Sequence, residues 1–163
     1  MATPTNLPAT QTVGGTATST WANDIRGAFR ILQVVSATSS TAWSNTTNTY
    51  TDVTGVTVDI TPQATSSKIF VVVSIAGAYK ATNNTTLDLE IRRGTTTIYT
   101  AGSNFNTNTT ATNAGTVTMT YLDSPSTTAA RTYKVRGRSS ANLATVGASL
   151  GGDSTITVFE ISA

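Results

Sequence analysis

The chain has 163 residues, enough for one domain that buries roughly 70% of its unfolded surface without covalent staples. It contains no Cys and no His, which excludes disulfides, thiolate metal sites, Ser-His-Asp and Cys-His devices, and a histidine pH switch. Net charge is +2 with 11% charged residues, too weak for a dedicated nucleic-acid binder, and 8 acidic groups supply a carboxylate-only active site poorly.

Threonine makes up roughly a fifth of the chain, far above ordinary usage. It is β-branched and polar, so it forms the solvent side of a strand without adding charge. The composition therefore describes an all-β protein with a neutral, hydroxyl-rich surface. Met1–Thr20 holds no apolar run of signal-peptide length, and no stretch is long enough for a transmembrane helix, so no membrane partner is expected. Without a signal peptide, the Asn-x-Thr sequons at Asn45, Asn83, Asn84 and Asn108 read as a by-product of Asn and Thr abundance.

Residues 1–19 combine Pro4, Pro8, Gly14 and Gly15 with small polar residues, the composition of an extended N-terminal arm. Residues 20–29, TWANDIRGAF, read as a short docking helix. Ser19 or Thr20 caps it, and Trp21, Ile25 and Phe29 recur at steps of four on one face. Two turns do not stand alone in water, so this stripe must pack on the domain's own core or on another subunit. Gly27 weakens the helix, which is expected to end there as the strand begins.

A β-sandwich is expected over residues 30–163. Arg30–Ala37 is its first strand. The polar loop Thr38–Asn48 carries Trp43, which either packs inward, the favoured reading, or offers a face to a sugar. Thr49–Val53 and Val56–Thr61 are two short strands broken at Gly55. Lys68–Lys80, KIFVVVSIAGAYK, is the most apolar stretch and the floor of the core. Ile69, Val71, Val73, Ile75 and Tyr79 fall on one face, and Phe70, Val72, Ala76 and Ala78 on the other. A strand apolar on both faces is covered on both sides, by its own chain or by another.

Lys80–Thr85 reads as a hairpin turn into Thr86–Arg93, where Leu87, Leu89 and Ile91 alternate with Asp88, Glu90 and Arg92. Thr96–Thr100 follows. Ala101–Ala114 is the longest loop, with Phe105 near its middle. Gly115–Asp123 alternates Val117, Met119 and Tyr121 with threonines. Arg131–Arg138 sets Tyr133 and Val135 against Lys134, Arg136 and Arg138. Ser139–Gly152 is a small-residue connection in which Leu143, Val146 and Leu150 form a strand or cover the core. Ser154–Ile161 closes the chain, with Ile156, Val158 and Glu160 opposite Thr157, Phe159 and Ile161. Eight or nine short strands with frequent turns indicate an antiparallel β-sandwich of jelly-roll type.

Little of this looks catalytic. No phosphate loop, nucleophile elbow or EF-hand pattern is present, although scattered Asp could join loop carbonyls around Ca²⁺. No cofactor is expected. Asp88 and Glu90 invite a glycosidase reading, but two carboxylates on one strand read better as a solvated face beside Arg92. Lys134, Arg136 and Arg138 form a basic stripe that meets an acidic partner or anionic glycan, or lies opposite Asp88 and Glu90 as an ordinary exposed face.

Three passages carry a family resemblance. Trp21-Ala22-Asn23-Asp24-Ile25 leads into Ile31-Leu32-Gln33. Thr61-Pro62 is followed by Thr65-Ser66-Ser67-Lys68-Ile69 and an apolar strand. The chain ends Ser154-Thr155-Ile156-Thr157-Val158-Phe159-Glu160-Ile161. Together they resemble the small, Thr-rich, β-structured virion proteins of tailed bacteriophages, of the head decoration (cement) or tail fibre type. The resemblance implies a non-enzymatic homotrimer, made in the host cytoplasm and placed on the particle exterior. It would be bound through its N-terminal segment to the major capsid protein or another virion protein. Trp21, Ile25, Phe29, Phe70 and Val72 are then the candidate docking or trimer contacts. No fibre shaft repeat is present, which favours decoration. The alternative is a glycan-recognising fibre tip, with Trp43, Phe105, Lys134, Arg136 and Arg138 as its candidate recognition residues.

Overall fold

A computed structural model of the protein describes residues 30–80, 82, 84–106, 113–147 and 151–162, with the backbone alone for 102–106 and 113. The arm, the expected helix with Trp21, Ile25 and Phe29, and Leu150 lie outside the described residues. The strands are β1 (Ile31–Ser39), β2 (Trp43–Asn45), β3 (Thr51–Ile60), β4 (Lys68–Lys80), β5 (Thr86–Arg93), β6 (Thr96–Asn106), β7 (Asn113–Asp123), β8 (Arg131–Ser139), β9 (Ala144–Val146) and β10 (Ser154–Ile161).

The pairings are nested. β5 pairs with β6, β4 with β7, β3 with β8 and β1 with β10, all antiparallel. This is one long ribbon folded back on itself and then rolled up. Rolling adds β10 beside β4 and β8 beside β5. The result is two sheets, β1-β10-β4-β7 and β3-β8-β5-β6, which is jelly-roll topology. The short β2 and β9 extend the first sheet. β9 pairs with the last residues of β4, on the edge that β10 occupies further back, and β2 pairs with β9.

Alternation sets the core. Ile69, Val71, Val73 and Ile75 of β4 are fully buried, as are Leu87, Leu89 and Ile91 of β5 and Ile156 and Val158 of β10. β-Branched residues dominate because they fit a pleated surface packed on one side. The alternation slips once, at Ala76–Gly77. Gly77 takes φ +59, and a Cβ there would meet the backbone of Gly147 and Gly151. Beyond this bulge Ala78 and Lys80 turn inward and Tyr79 outward, the reverse of the strict two-residue reading.

Four further expectations change. The stretch expected as two strands at Thr49–Thr61 is one strand, β3, irregular between Asp52 and Thr57, with Gly55 at φ +75. Lys80–Thr85 is not a hairpin turn, because β4 and β5 belong to different sheets and the connection crosses between them. The expected long loop is shortened at both ends, by β6 to Asn106 and by β7 from Asn113. In the connection after β8, Val146 is buried on β9 whereas Leu143 is exposed.

Buried polar groups tie the two ends of the roll. At one end Lys80, fully buried, donates to Ser139 Oγ (2.6 Å) and to the carbonyls of Ala141, Asn142 and Leu143 (2.5, 3.2 and 3.2 Å). Burial pulls its ammonium below the usual lysine range, and the carbonyl cage supplies the acceptors that water would otherwise provide. At the other end Asp123 of β7 accepts from Arg93 Nη1 (2.7 Å) and from the Tyr133 hydroxyl (2.6 Å), which joins the two sheets. Burial, then the Asp123 hydrogen bond, pushes the Tyr133 phenol well above its ordinary value.

Glu160 holds the β3–β4 connection against β10. Fully buried, it accepts from Gln33 Nε2 (2.6 Å) and the Gln63 amide (2.7 Å), while Gln33 also donates to the Thr61 carbonyl. Burial alone would raise its pKa, but the hydrogen bonds outweigh burial and hold the carboxyl below the usual range. A depressed carboxylate stabilises the fold above its unfolded pKa of about 4.3, and this stability is lost as pH falls through the folded value. Glu160→Gln turns an amide donor toward one of the groups that donate to this carboxylate. It should cost about 1–3 kcal/mol at pH 7. In urea titrations at descending pH, the gap from the parent should close in the acid range. A gap unchanged at pH 3 would contradict this role.

Candidate functional surfaces

The two sheets present outer faces of opposite chemistry. On β1-β10-β4-β7 the register places Val34 opposite Phe159, Phe159 opposite Phe70, and Phe70 opposite Leu122. One apolar row therefore crosses all four strands. The Phe70 and Phe159 rings lie 6.2 Å apart, tilted by 40°. Val34 and Leu122, at the ends of the row, are 52% and 53% exposed, and Ile31, opposite Ile161 at the adjoining corner, is 55% exposed. Val72 continues the patch, flanked by Thr157 and Thr120. Beyond it the same face becomes hydroxyls, with Thr155, Ser74 and Thr118 in register. Scattered exposed apolar residues are ordinary, but a contiguous row across a sheet marks a contact surface.

The outer face of β3-β8-β5-β6 is a ladder of ion pairs. Lys134 reaches Asp52 at 2.7 Å, Arg136 reaches Asp52 and Glu90 at 3.3 Å each, and Arg138 reaches Asp88 at 2.9 Å. Tyr50 joins them, its ring 4.7 Å from the Arg138 guanidinium and 5.8 Å from that of Arg136. Arg136 also donates to the Tyr50 carbonyl. Burial raises the Tyr50 phenol above its ordinary value, and the neighbouring carboxylates add to the shift against the arginines. The pairing follows from β8 lying between β3 and β5: Arg136 meets carboxylates on both sides, Lys134 reaches Asp52 on β3 although Arg92 lies opposite it on β5, and Arg138 meets Asp88 on β5.

These surfaces sort the expected residues. Phe70 and Val72 share the apolar face, together with Val34, Leu122 and Phe159. Lys134, Arg136 and Arg138 do share a face, but each is paired, so they form a neutralised ladder and not a free basic stripe. Asp88 and Glu90 are buried within it, which corrects the solvated face expected for them. Trp43 is no recognition platform. It is 6% exposed, bonds Thr51 Oγ1 through Nε1 (3.1 Å), and lies so close over Gly137 that a Cβ there would come within 2.6 Å of the ring. The Phe105 backbone lies on β6 opposite Leu87, and its side chain is outside the described residues.

Sequence reasoning missed Tyr50, Val34 and Leu122. Phe159 carried a usable signal, since it shares with Phe70 the second apolar face of an alternating strand. Among the described residues no three metal-ligating side chains converge, and no helix is long and apolar enough to cross a membrane. A shallow groove of about 370 Å³ is lined by Arg93, Gly94, Thr95, Thr96 and Arg131.

No family model and no curated protein matches the chain. Among solved structures it is similar to VP2 of infectious bursal disease virus in its subviral particle, with a TM-score of 0.43 and 15% identity. The match covers 80% of this chain and 38% of that one, so the chain spans about two-fifths of the VP2 length. The jelly-roll assignment rests on the strand pairing described above.

The two kinds of ion pair predict different mutational costs. Lys134 faces Asp52, whose side chain is 53% exposed, whereas Arg138 covers Asp88, whose side chain is 8% exposed. Lys134→Ala should cost no more than about 1 kcal/mol. Arg138→Ala strands a buried carboxylate and should cost about 2 kcal/mol or more. Chemical denaturation of both variants decides it, and equal costs would contradict the ladder.

Proposed function

We propose that the protein is a non-enzymatic structural component of a virus particle, a capsid decoration or cement protein that coats the particle exterior as a homotrimer. The observation that carries this reading is the opposition of the two sheet faces. One bears an apolar row suited to contact, and the other a neutralised charge ladder suited to solvent. A coat protein needs both, one face toward the shell or a neighbouring subunit and one toward water. The nested jelly roll presents them on opposite sides of a single thin core. The phage assignment and the trimer come from the resemblance of the Trp21–Ile25, Thr61–Ile69 and Ser154–Ile161 passages. In this reading the apolar face with Phe70 and Val72 looks toward the particle, and residues 1–19 form the arm that binds the major capsid protein or another virion protein.

The alternative, a glycan-recognising fibre tip, is weakened by the position of Trp43, one of the two aromatics it would use, in the core. Antibody-labelled electron microscopy on intact particles, combined with the solution mass, tests the reading. Label spread over the head and a trimer mass are expected. Label confined to the tail would replace decoration with the fibre role, and particles that carry no label would overturn both.

A further inference from the structure

We propose that the end of the sandwich beside the β5–β6 turn binds a tetrahedral oxyanion, a phosphate or sulfate group, between Arg93 and Arg131. Both arginines belong to the inward-facing series of their strands. Arg93 follows Leu87, Leu89 and Ile91 on β5, and Arg131 precedes Tyr133 and Val135 on β8. Each stands one step beyond the last buried side chain of its series. Arg93 pairs with Tyr133, so Arg131 is its diagonal neighbour. Such neighbours lie about 7–8 Å apart, within reach of two long side chains. The Gly94 amide donates to the Thr132 carbonyl (2.8 Å) and closes the β5–β6 turn onto the start of β8. The groove of about 370 Å³ lined by Arg93, Gly94, Thr95, Thr96 and Arg131 opens there. That volume is at the small end of ligand sites, roughly 300–1,000 Å³.

The charges around this groove do not balance. Two guanidinium groups share one carboxylate. Asp123 accepts from Arg93 Nη1 with both oxygens, at 2.8 and 2.7 Å, and from the Tyr133 hydroxyl at 2.6 Å. Its oxygens are engaged, yet only one nitrogen of Arg93 is used. Among the described residues Arg93 Nη2 and Nε and the whole Arg131 guanidinium have no acceptor. Asp59 does not supply one, because it lies opposite Thr132 on the outer face and accepts from that hydroxyl. The Arg93 side chain is 24% exposed, so an anion beside it is less screened than on open surface. The free donors approach from two strands and, through the exposed Thr95 and Thr96 hydroxyls, from the turn. The three or four oxygens of a phosphate or sulfate serve them together, where a planar carboxylate offers two. This site is on the other sheet from the apolar row and does not depend on the virion reading.

Two-dimensional amide NMR spectra of the full-length protein test it. Sodium phosphate or sulfate, added at constant ionic strength against chloride, should give saturable shifts at Gly94, Thr95, Thr96 and Thr132. Arg131→Gln should weaken binding about tenfold or more, and Arg131→Lys, which keeps the charge but loses the fork, should fall between. Lys134→Gln removes the same charge from the outer face of the same strand and should leave binding unchanged. Inorganic phosphate and a hexose phosphate monoester separate the two sources. Tighter binding of the ester assigns a group carried on a sugar, and equal or weaker binding assigns the free ion. Shifts that never saturate, equal weakening in Lys134→Gln, or acetate bound as tightly as phosphate would overturn the proposal.

Discussion

The fold depends on one strand satisfying both of its edges and both of its faces. β4 pairs with β10 and β9 along one edge and with β7 along the other, so its backbone hydrogen bonds are consumed within the sheet. Its inner face, Ile69 to Ile75, is the floor of the core. Its outer face, Phe70 and Val72, supplies the centre of the apolar row. The same pleat thus fixes the core and the contact surface, and a one-residue slip would exchange them. The polar ties at the two ends of β4, the Lys80 cage and the Asp123 cluster opposite Ile69, hold the connections and the second sheet to that register.

From this constraint the two-sided character of the molecule follows. β8 sits between β3 and β5, and each of Lys134, Arg136 and Arg138 finds a carboxylate on one or both neighbours, so these cations of the second sheet's outer face are paired within it. Among the described residues the first sheet has no such pairing, and Val34 and Leu122 at the ends of its row are about half exposed. Buried apolar area stabilises at roughly 25 cal/mol per Å², so a row of this kind is worth covering.

Much of the fold was legible in the sequence, because period-two alternation in β5, β7, β8 and β10 is strict. The inward sets Leu87-Leu89-Ile91, Val117-Met119-Tyr121 and Ile156-Val158-Glu160 follow directly from it. Trp43 packs inward, as a large aromatic in a polar loop is expected to. Less legible were the features that break the period. The Ala76–Gly77 bulge reverses Ala78, Tyr79 and Lys80, and the neighbours that leave no room for a Cβ there, Gly147 and Gly151, are seventy or more residues away in sequence. The sequence set Lys134, Arg136 and Arg138 beside Asp88 and Glu90 only as one option, since strand order decides which faces meet. Val34 and Leu122 gave no signal alone. They matter through register, which places them in line with two phenylalanines from distant strands.

The outer face of β1-β10-β4-β7 should be a covered contact face in the native protein. Hydroxyl-radical footprinting of the full chain tests it with an internal standard. Leu122 on the row and Leu143 away from it are the same residue type and are 53% and 48% exposed on the described strands. If the face is covered, Leu122 is oxidised much more slowly than Leu143. Equal rates would mean that the row stands open to water, and the account of this surface would fail.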